Sequence, residues 1–217
     1  IPINKSVGTE HQAATFDQVR GIVEAATGPF VVLKCICREG AAMRRRPCKK
    51  TARKETCLAF DDMAKAVLRR KHGREVSREE VLDILRQSEE EGLVLQPANT
   101  RKPGFICSCC GCCCGMLLLH KRLPHPVDFW TSNYRADVDA DACSGCGVCV
   151  KRCQVDAVTL SGRGGTAKVN LSRCIGCGLC VPTCPSHAVR LKKSSRETIP
   201  PKDHDDLYDE IMANKKG

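Results

Sequence analysis

Two runs of four cysteines dominate the chemistry open to this chain. Cys143, Cys146, Cys149 and Cys153 are spaced C-x2-C-x2-C-x3-C, and Cys174, Cys177, Cys180 and Cys184 repeat the spacing 31 residues later. Thiolate sulfur is a soft donor that suits iron. Three thiolates two residues apart can wrap three corners of an iron–sulfur cube on one tight turn. The fourth cysteine of each run reaches back poorly to that cube and is free to serve the other. Structural zinc sites normally take thiolates as two separated pairs, so the triplet-plus-one pattern points to iron–sulfur chemistry instead. Gly145, Gly147, Gly176 and Gly178 stand between the ligands and let backbone N–H groups approach cluster sulfides, which tunes potential.

The other ten of the 18 cysteines lie upstream. Cys35 and Cys37 form C-x-C; Cys48 and Cys57 follow; Cys107, Cys109, Cys110, Cys112, Cys113 and Cys114 crowd six thiols into eight residues. A single buried cysteine is an ordinary apolar residue, but ten at these spacings call for metal. Adjacent cysteines face different directions, so the six-cysteine run can serve two sites. Cys35, Cys37, Cys48 and Cys57 read as ligands, with some of the downstream six completing a second site. One or two further iron–sulfur clusters are expected there, with a zinc ion or a cluster of unusual geometry left open.

These ligands need elements to hold them. Residues 10–28 read as a first helix that stops at Gly28-Pro29, and Val31–Leu33 is β-prone and runs straight into Cys35. Phe60, Met63, Ala64, Val67 and Leu68 share one helical face ending near Gly73. Ser77 caps a second helix, with Glu80 three residues on forming a capping box, and Leu93-Val94-Leu95 reads as a strand. The helix pair over 58–91 fits either a packing αα-hairpin or a helix-turn-helix or winged-helix unit. Leu123-Pro124-His125-Pro126 breaks the chain before the repeat, with Trp130 and Tyr134 expected to pack this connector, and His120 and His125 read as solvated loop histidines. Strand-like Ala157–Leu160 and Ala188–Leu191 follow the two cysteine runs. The resulting expectation is an α+β chain: a mainly helical cysteine-rich domain at 1–134, a ferredoxin-like two-cluster domain at 135–193 and a tail at 194–217, either an arm or partly disordered.

Composition narrows the class. Aromatic residues make up 4% of the 217, which excludes a large aromatic core. No apolar run is long enough for a signal segment or a bilayer span. Cube-spaced thiolates demand reducing conditions, so a cytoplasmic, anaerobic setting is expected. The chain begins at Ile1 rather than Met, so a region further upstream is also expected. The formal charge of +10 counts cysteines as neutral. A cube with its four thiolates carries −2, so two cubes lower the sum to +6 and four lower it to +2. Much of the basicity therefore balances cluster charge, and a nucleic-acid face is disfavoured. Arg44, Arg45, Arg46, Lys49 and Lys50 form the sharpest basic patch, suited to an acidic redox partner. No P-loop, GxGxxG or Ser/His/Asp arrangement suggests a nucleotide site or a hydrolase.

Residues 136–191 resemble the two-[4Fe–4S] bacterial ferredoxins. That resemblance implies a pseudo-twofold α+β fold with crossed ligation: Cys143, Cys146, Cys149 and Cys184 for one cube, Cys174, Cys177, Cys180 and Cys153 for the other. Gln154 departs from the family, which usually has proline after the fourth cysteine, as in Cys184-Pro185. Its restored N–H is expected to raise the potential of the cube that Cys153 shares with Cys174. More widely, Lys34-Cys35-Ile36-Cys37-Arg38-Glu39, Glu55-Thr56-Cys57-Leu58, Gly73–Ser77, Gly92-Leu93-Val94 and the C-S-C-C-G-C-C-C segment resemble anaerobic 4Fe-4S binding domain proteins that end in such a module. The implied role is electron transfer between redox partner enzymes or subunits, as a non-catalytic subunit of an oxidoreductase complex. The alternatives are an iron–sulfur redox sensor that binds nucleic acid, and an enzyme whose upstream cluster has an open iron.

Overall fold

The computed structural model describes residues 16–128, 132–162, 164–195 and 199–214. The first helix α1 (Phe16–Ala25) leads to strand β1 (Phe30–Lys34) and helix α2 (Ile36–Met43); then come β2 (Glu55–Phe60), α3 (Asp61–Arg69), β3 (Gly73–Val76), α4 (Arg78–Glu90), β4 (Val94–Pro97), β5 (Phe105–Cys109) and α5 (Gly115–Arg122). Residues 10–15 of the expected first helix, and Trp130, lie outside the described residues.

The five strands form one sheet in the order β3-β1-β2-β5-β4, and each neighbouring pair is antiparallel. The period-2 alternation of strands sorts the side chains into two layers. Phe30, Val32, Leu58, Phe60, Leu95 and Ile106 face Val19 and Val23 of α1 and Val81, Ile84 and Leu85 of α4. Val31, Ala59 and Leu33 face the other way, onto Ala64, Val67 and Leu68 of α3. Phe30 and Phe60 meet edge to face at 5.9 Å. Helices α3 and α4 therefore lie on opposite faces of the sheet. This removes the αα-hairpin, and with it the helix-turn-helix unit, because β3 runs between the two helices as an edge strand. The upstream half is accordingly not mainly helical. Its strands are four to six residues long, and β2 ends where the helical stripe of α3 begins, so the helical period masked the strand.

Local signals did place the caps. The Ser77 side chain accepts from the Glu80 N–H at 3.2 Å. The Glu80 carboxylate turns instead to Arg74 at 2.7 Å, so one half of the capping box forms.

The second half opens and closes on one pair, β6 (Tyr134–Val138) against β9 (Val189–Lys193), antiparallel. Between them lie α6 (Val148–Arg152) and the hairpin β7 (Val158–Leu160) with β8 (Ala167–Val169). Helix α7 (His204–Asn214) ends the described chain. The stretch before it is tied down, since the N–H groups of Arg101 and Lys102 donate to the carbonyls of Pro201 and Lys202 at 2.9 and 3.1 Å.

The two halves meet through cations that cap helices, a favourable placement at a C-terminus with its unsatisfied carbonyls. Arg152 donates to the Glu90 carbonyl at 2.8 Å and to that of Glu89, at the end of α4. Arg173 donates to the carbonyls of Lys121 and Leu123 at 3.0 and 3.2 Å, at the end of α5. Lys121 pairs with Asp156 at 3.0 Å. No helix among the described residues is long and apolar enough to cross a membrane.

Candidate metal centres

All 18 cysteines are free thiols, and the fold gathers them into distinct groups. In the second half, Cys153, Cys174, Cys177 and Cys180 line one cavity whose remaining wall is apolar, from Val155, Ala157, Val158, Ile175 and Leu179. These four are the crossed set, with one thiol from the first run and three from the second. The backbone approaches the sulfurs: Ala157 N–H donates to Cys153 Sγ at 3.2 Å, Ala136 N–H to Cys174 Sγ at 3.4 Å and Ala167 N–H to Cys143 Sγ at 3.4 Å. Gly176 turns with φ +63°, and a Cβ there would stand 2.1 Å from the Tyr134 carbonyl oxygen, so only glycine lets β6 come this close. Cys143, Cys149 and Cys184 join Cys180 in the adjoining apolar cluster, while Cys146 is exposed. Burial pushes the Cys174 thiol up and carries Cys177 up to about 12. A metal must displace those protons to bind. Soft donors, a dry pocket and N–H groups aimed at sulfur fit iron–sulfur clusters.

A second group forms at one end of the sheet, on the face that α3 covers elsewhere. Cys57 and Cys107 are direct cross-strand partners on β2 and β5, and Cys109 follows two residues on, on the same face. Cys35 and Cys114 stand at the N-caps of α2 and α5. The thiols interact in series: Cys35 with Cys57, Cys57 with Cys107, Cys107 with Cys109, Cys109 with Cys114, and Cys114 with Cys37. Contacts from Cys109 and Cys57 hold Cys107 low, at about 4. A contact from Cys109, helped by the N–H groups of Leu117 and Met116 against burial, brings Cys114 to about 6. Cys35, Cys57 and Cys109 are pushed up in turn, led by their contacts with neighbouring thiols.

The third group is compact. Cys48 Sγ lies 3.6 Å from Cys110 and 3.8 Å from Cys112, and Cys112 lies 3.5 Å from Cys110 and 3.8 Å from Cys113. The four sulfurs fall within 4.8 Å of one another, and no other group of potential ligands among the described residues closes as tightly. Lys50 and Lys49 N–H groups donate to Cys48 and Cys112 at 3.4 and 3.5 Å. Burial alone would raise the Cys48 thiol, but N–H groups of Lys50 and Thr51, with Cys110 and Arg38, outweigh it and bring it to about 6. The upstream cysteines therefore divide by direction rather than by position in the chain. Cys48 leaves Cys35, Cys37 and Cys57 to join the downstream run, and the run splits into Cys107, Cys109 and Cys114 against Cys110, Cys112 and Cys113.

Three residues with no role assigned from sequence connect these groups. Arg38 is 5% exposed; it donates to Thr56 Oγ1 and to the Ser108 carbonyl at 2.7 Å, and Cys35, Cys110 and Cys48 act on its charge. Arg152 and Arg173 cap helices as described. Gln154, singled out for its N–H, also uses its side chain: Oε1 accepts from the buried Gly111 N–H at 2.9 Å. A Cβ on Gly111 would stand 2.2 Å from the Gln154 carbonyl oxygen. His120, expected in solvent, is fully buried on α5, and burial followed by the Arg173 charge lowers it to about 4, which leaves it neutral. His125 is exposed, as read, and Tyr134 is buried at the start of β6. Arg44, Arg45, Arg46, Lys49 and Lys50 are all exposed beside the Cys48 group.

Residues 136–191 match the family model of the 4Fe-4S dicluster domain. No curated protein is similar enough to match the chain. The match and the gathered cysteines support a 4Fe–4S-binding protein, with iron–sulfur electron transfer as its general chemistry.

Proposed function

We propose that this protein carries electrons through several [4Fe–4S] clusters between partner redox enzymes or subunits, in the reducing cytoplasm of anaerobic metabolism. In this reading Cys143, Cys146, Cys149 and Cys184 hold one cube, and Cys153, Cys174, Cys177 and Cys180 hold the other. Cys35, Cys37, Cys57, Cys107, Cys109 and Cys114 offer the thiols for a further cluster. When bound, a [4Fe–4S] cluster supplies one-electron chemistry whose potential follows burial, hydrogen bonds to sulfur and local charge.

The observation that carries the reading is a shared wall. Val94, Leu117, Val155, Ala157, Ile175 and Leu179 form one apolar cluster that packs both Cys107, Cys109 and Cys114 from upstream and Cys153, Cys174 and Cys177 from the repeat. The two thiol groups thus back onto the same dry partition. Residues on it exclude water, and the N–H groups of Ala157 and Ala136 stabilise negative charge on sulfur. The exposed arginines and lysines around Cys48 suit an acidic partner.

Iron and sulfide quantification with EPR under strict anoxia tests the proposal. About eight irons per chain would confine clusters to the repeat, and about twelve would add the upstream group, at four irons per cube. Fewer than eight, or iron that does not take up and release electrons reversibly, would remove the electron-carrier reading.

A further inference from the structure

We propose that Cys48, Cys110, Cys112 and Cys113 form a mononuclear tetrathiolate site for zinc, separate from the iron–sulfur path. A tetrahedral ion with Zn–S bonds of about 2.3 Å sets its four sulfurs about 3.8 Å apart. Four of the six separations, 3.5, 3.6, 3.8 and 3.8 Å, match that edge, and all six lie within 4.8 Å. Thiolates of a cube bind four different irons, and the cube itself holds them apart. Among the described residues no other group of three or more potential ligands closes within the same span.

Charge gives a second, independent argument. Arg38 is buried and donates to two neutral groups, Thr56 Oγ1 and the Ser108 carbonyl. A buried guanidinium without a counter-charge is strongly unfavourable. Cys35, Cys110 and Cys48 act on it, and the Glu91 carboxylate interacts with it as well. A zinc ion with four thiolates carries −2 and adds negative charge beside Arg38, and the Lys49 and Lys50 N–H groups donate to its sulfurs.

Location separates this site from electron transfer. Ala41 and Leu93 pack around the four thiols in a cluster of their own, and none of the four belongs to the partition shared with the repeat. Four protein ligands leave no open position, the mark of a structural rather than a catalytic zinc. The ion would join the loop after α2 to the turn between β5 and α5.

The test is metal analysis and zinc-edge X-ray absorption on the full chain, purified without oxygen. The expected result is about one zinc per chain in a first shell of four sulfurs near 2.3 Å, with no second metal nearby. C48S and C112S should each lose the zinc while the iron content stays at the wild-type value. Zinc-free protein with a single iron in the site, a zinc shell containing nitrogen or oxygen, or zinc retained by both variants would overturn the proposal. The wild-type absorption spectrum decides even where a variant misfolds. Zinc and iron are counted separately, so failure of the electron-carrier reading leaves this result standing.

Discussion

At the residue scale, Gln154 links two arguments that sequence alone kept apart. Its N–H follows Cys153, and its side chain binds the Gly111 N–H inside the cysteine-rich loop. Two substitutions separate these roles. Gln154→Leu removes only the amide and leaves a buried N–H unpaired, so we expect about 1–3 kcal/mol of lost stability in anoxic denaturant titration, with midpoint potentials unchanged. Gln154→Pro removes the N–H as well and should lower one midpoint while the other stays; two unmoved midpoints would show that the N–H does not tune the cluster. Protons matter at this scale too. Cys177 is raised to about 12 in the chain without metal, so binding there releases a proton at any lower pH. Cluster uptake should therefore strengthen as pH rises and weaken as it falls. Reconstitution yields followed from pH 6 to 9 that are flat or inverted would contradict this.

At the element scale, the sheet decides which cysteines meet. Antiparallel pairing of β2 with β5 sets Cys57 against Cys107, and the N-termini of α2 and α5 bring in Cys35 and Cys114. The tandem runs and the Ser77 cap were legible because their signals are local. The sheet was not. Strand β3 has only four residues, with Arg74 and Glu75 exposed, and strand pairing joins residues far apart in sequence. The division of the six-cysteine run was hidden for the same reason, because Cys48 reaches it only through the fold. The sheet's dependence on α4 gives a direct test. Leu85→Ala, in the core between α4 and the sheet, should cost about 2–5 kcal/mol by thermal or denaturant unfolding and weaken metal retention upstream. A loss below 1 kcal/mol would mean that α4 does not hold the sheet.

At the scale of the whole molecule, Arg152 and Arg173 dock the repeat onto two helix ends of the upstream half. Arg152→Ala should cost about 1–3 kcal/mol, as for hydrogen bonds from a charged donor, and should loosen the shared partition, read as faster amide exchange around Val94 and Leu179. Unchanged protection there would argue that the apolar cluster alone joins the halves. The exposed basic patch belongs to this scale as well. Arg44→Glu with Arg45→Glu should slow reduction by an acidic partner, with the difference largest at low salt; equal rates at all ionic strengths would leave the patch as charge balance. One last consequence concerns topology. Cys48 and Cys110 stand 62 residues apart, and the chain between them carries most of the sheet. A bond through an ion at that point would act as a clasp on a long ring. On the loop-entropy scale used for disulfides, closing it restricts the unfolded chain by about 4 kcal/mol. Opening the clasp would slacken the scaffold from beneath the redox centres, so the protein would soften before it bleached.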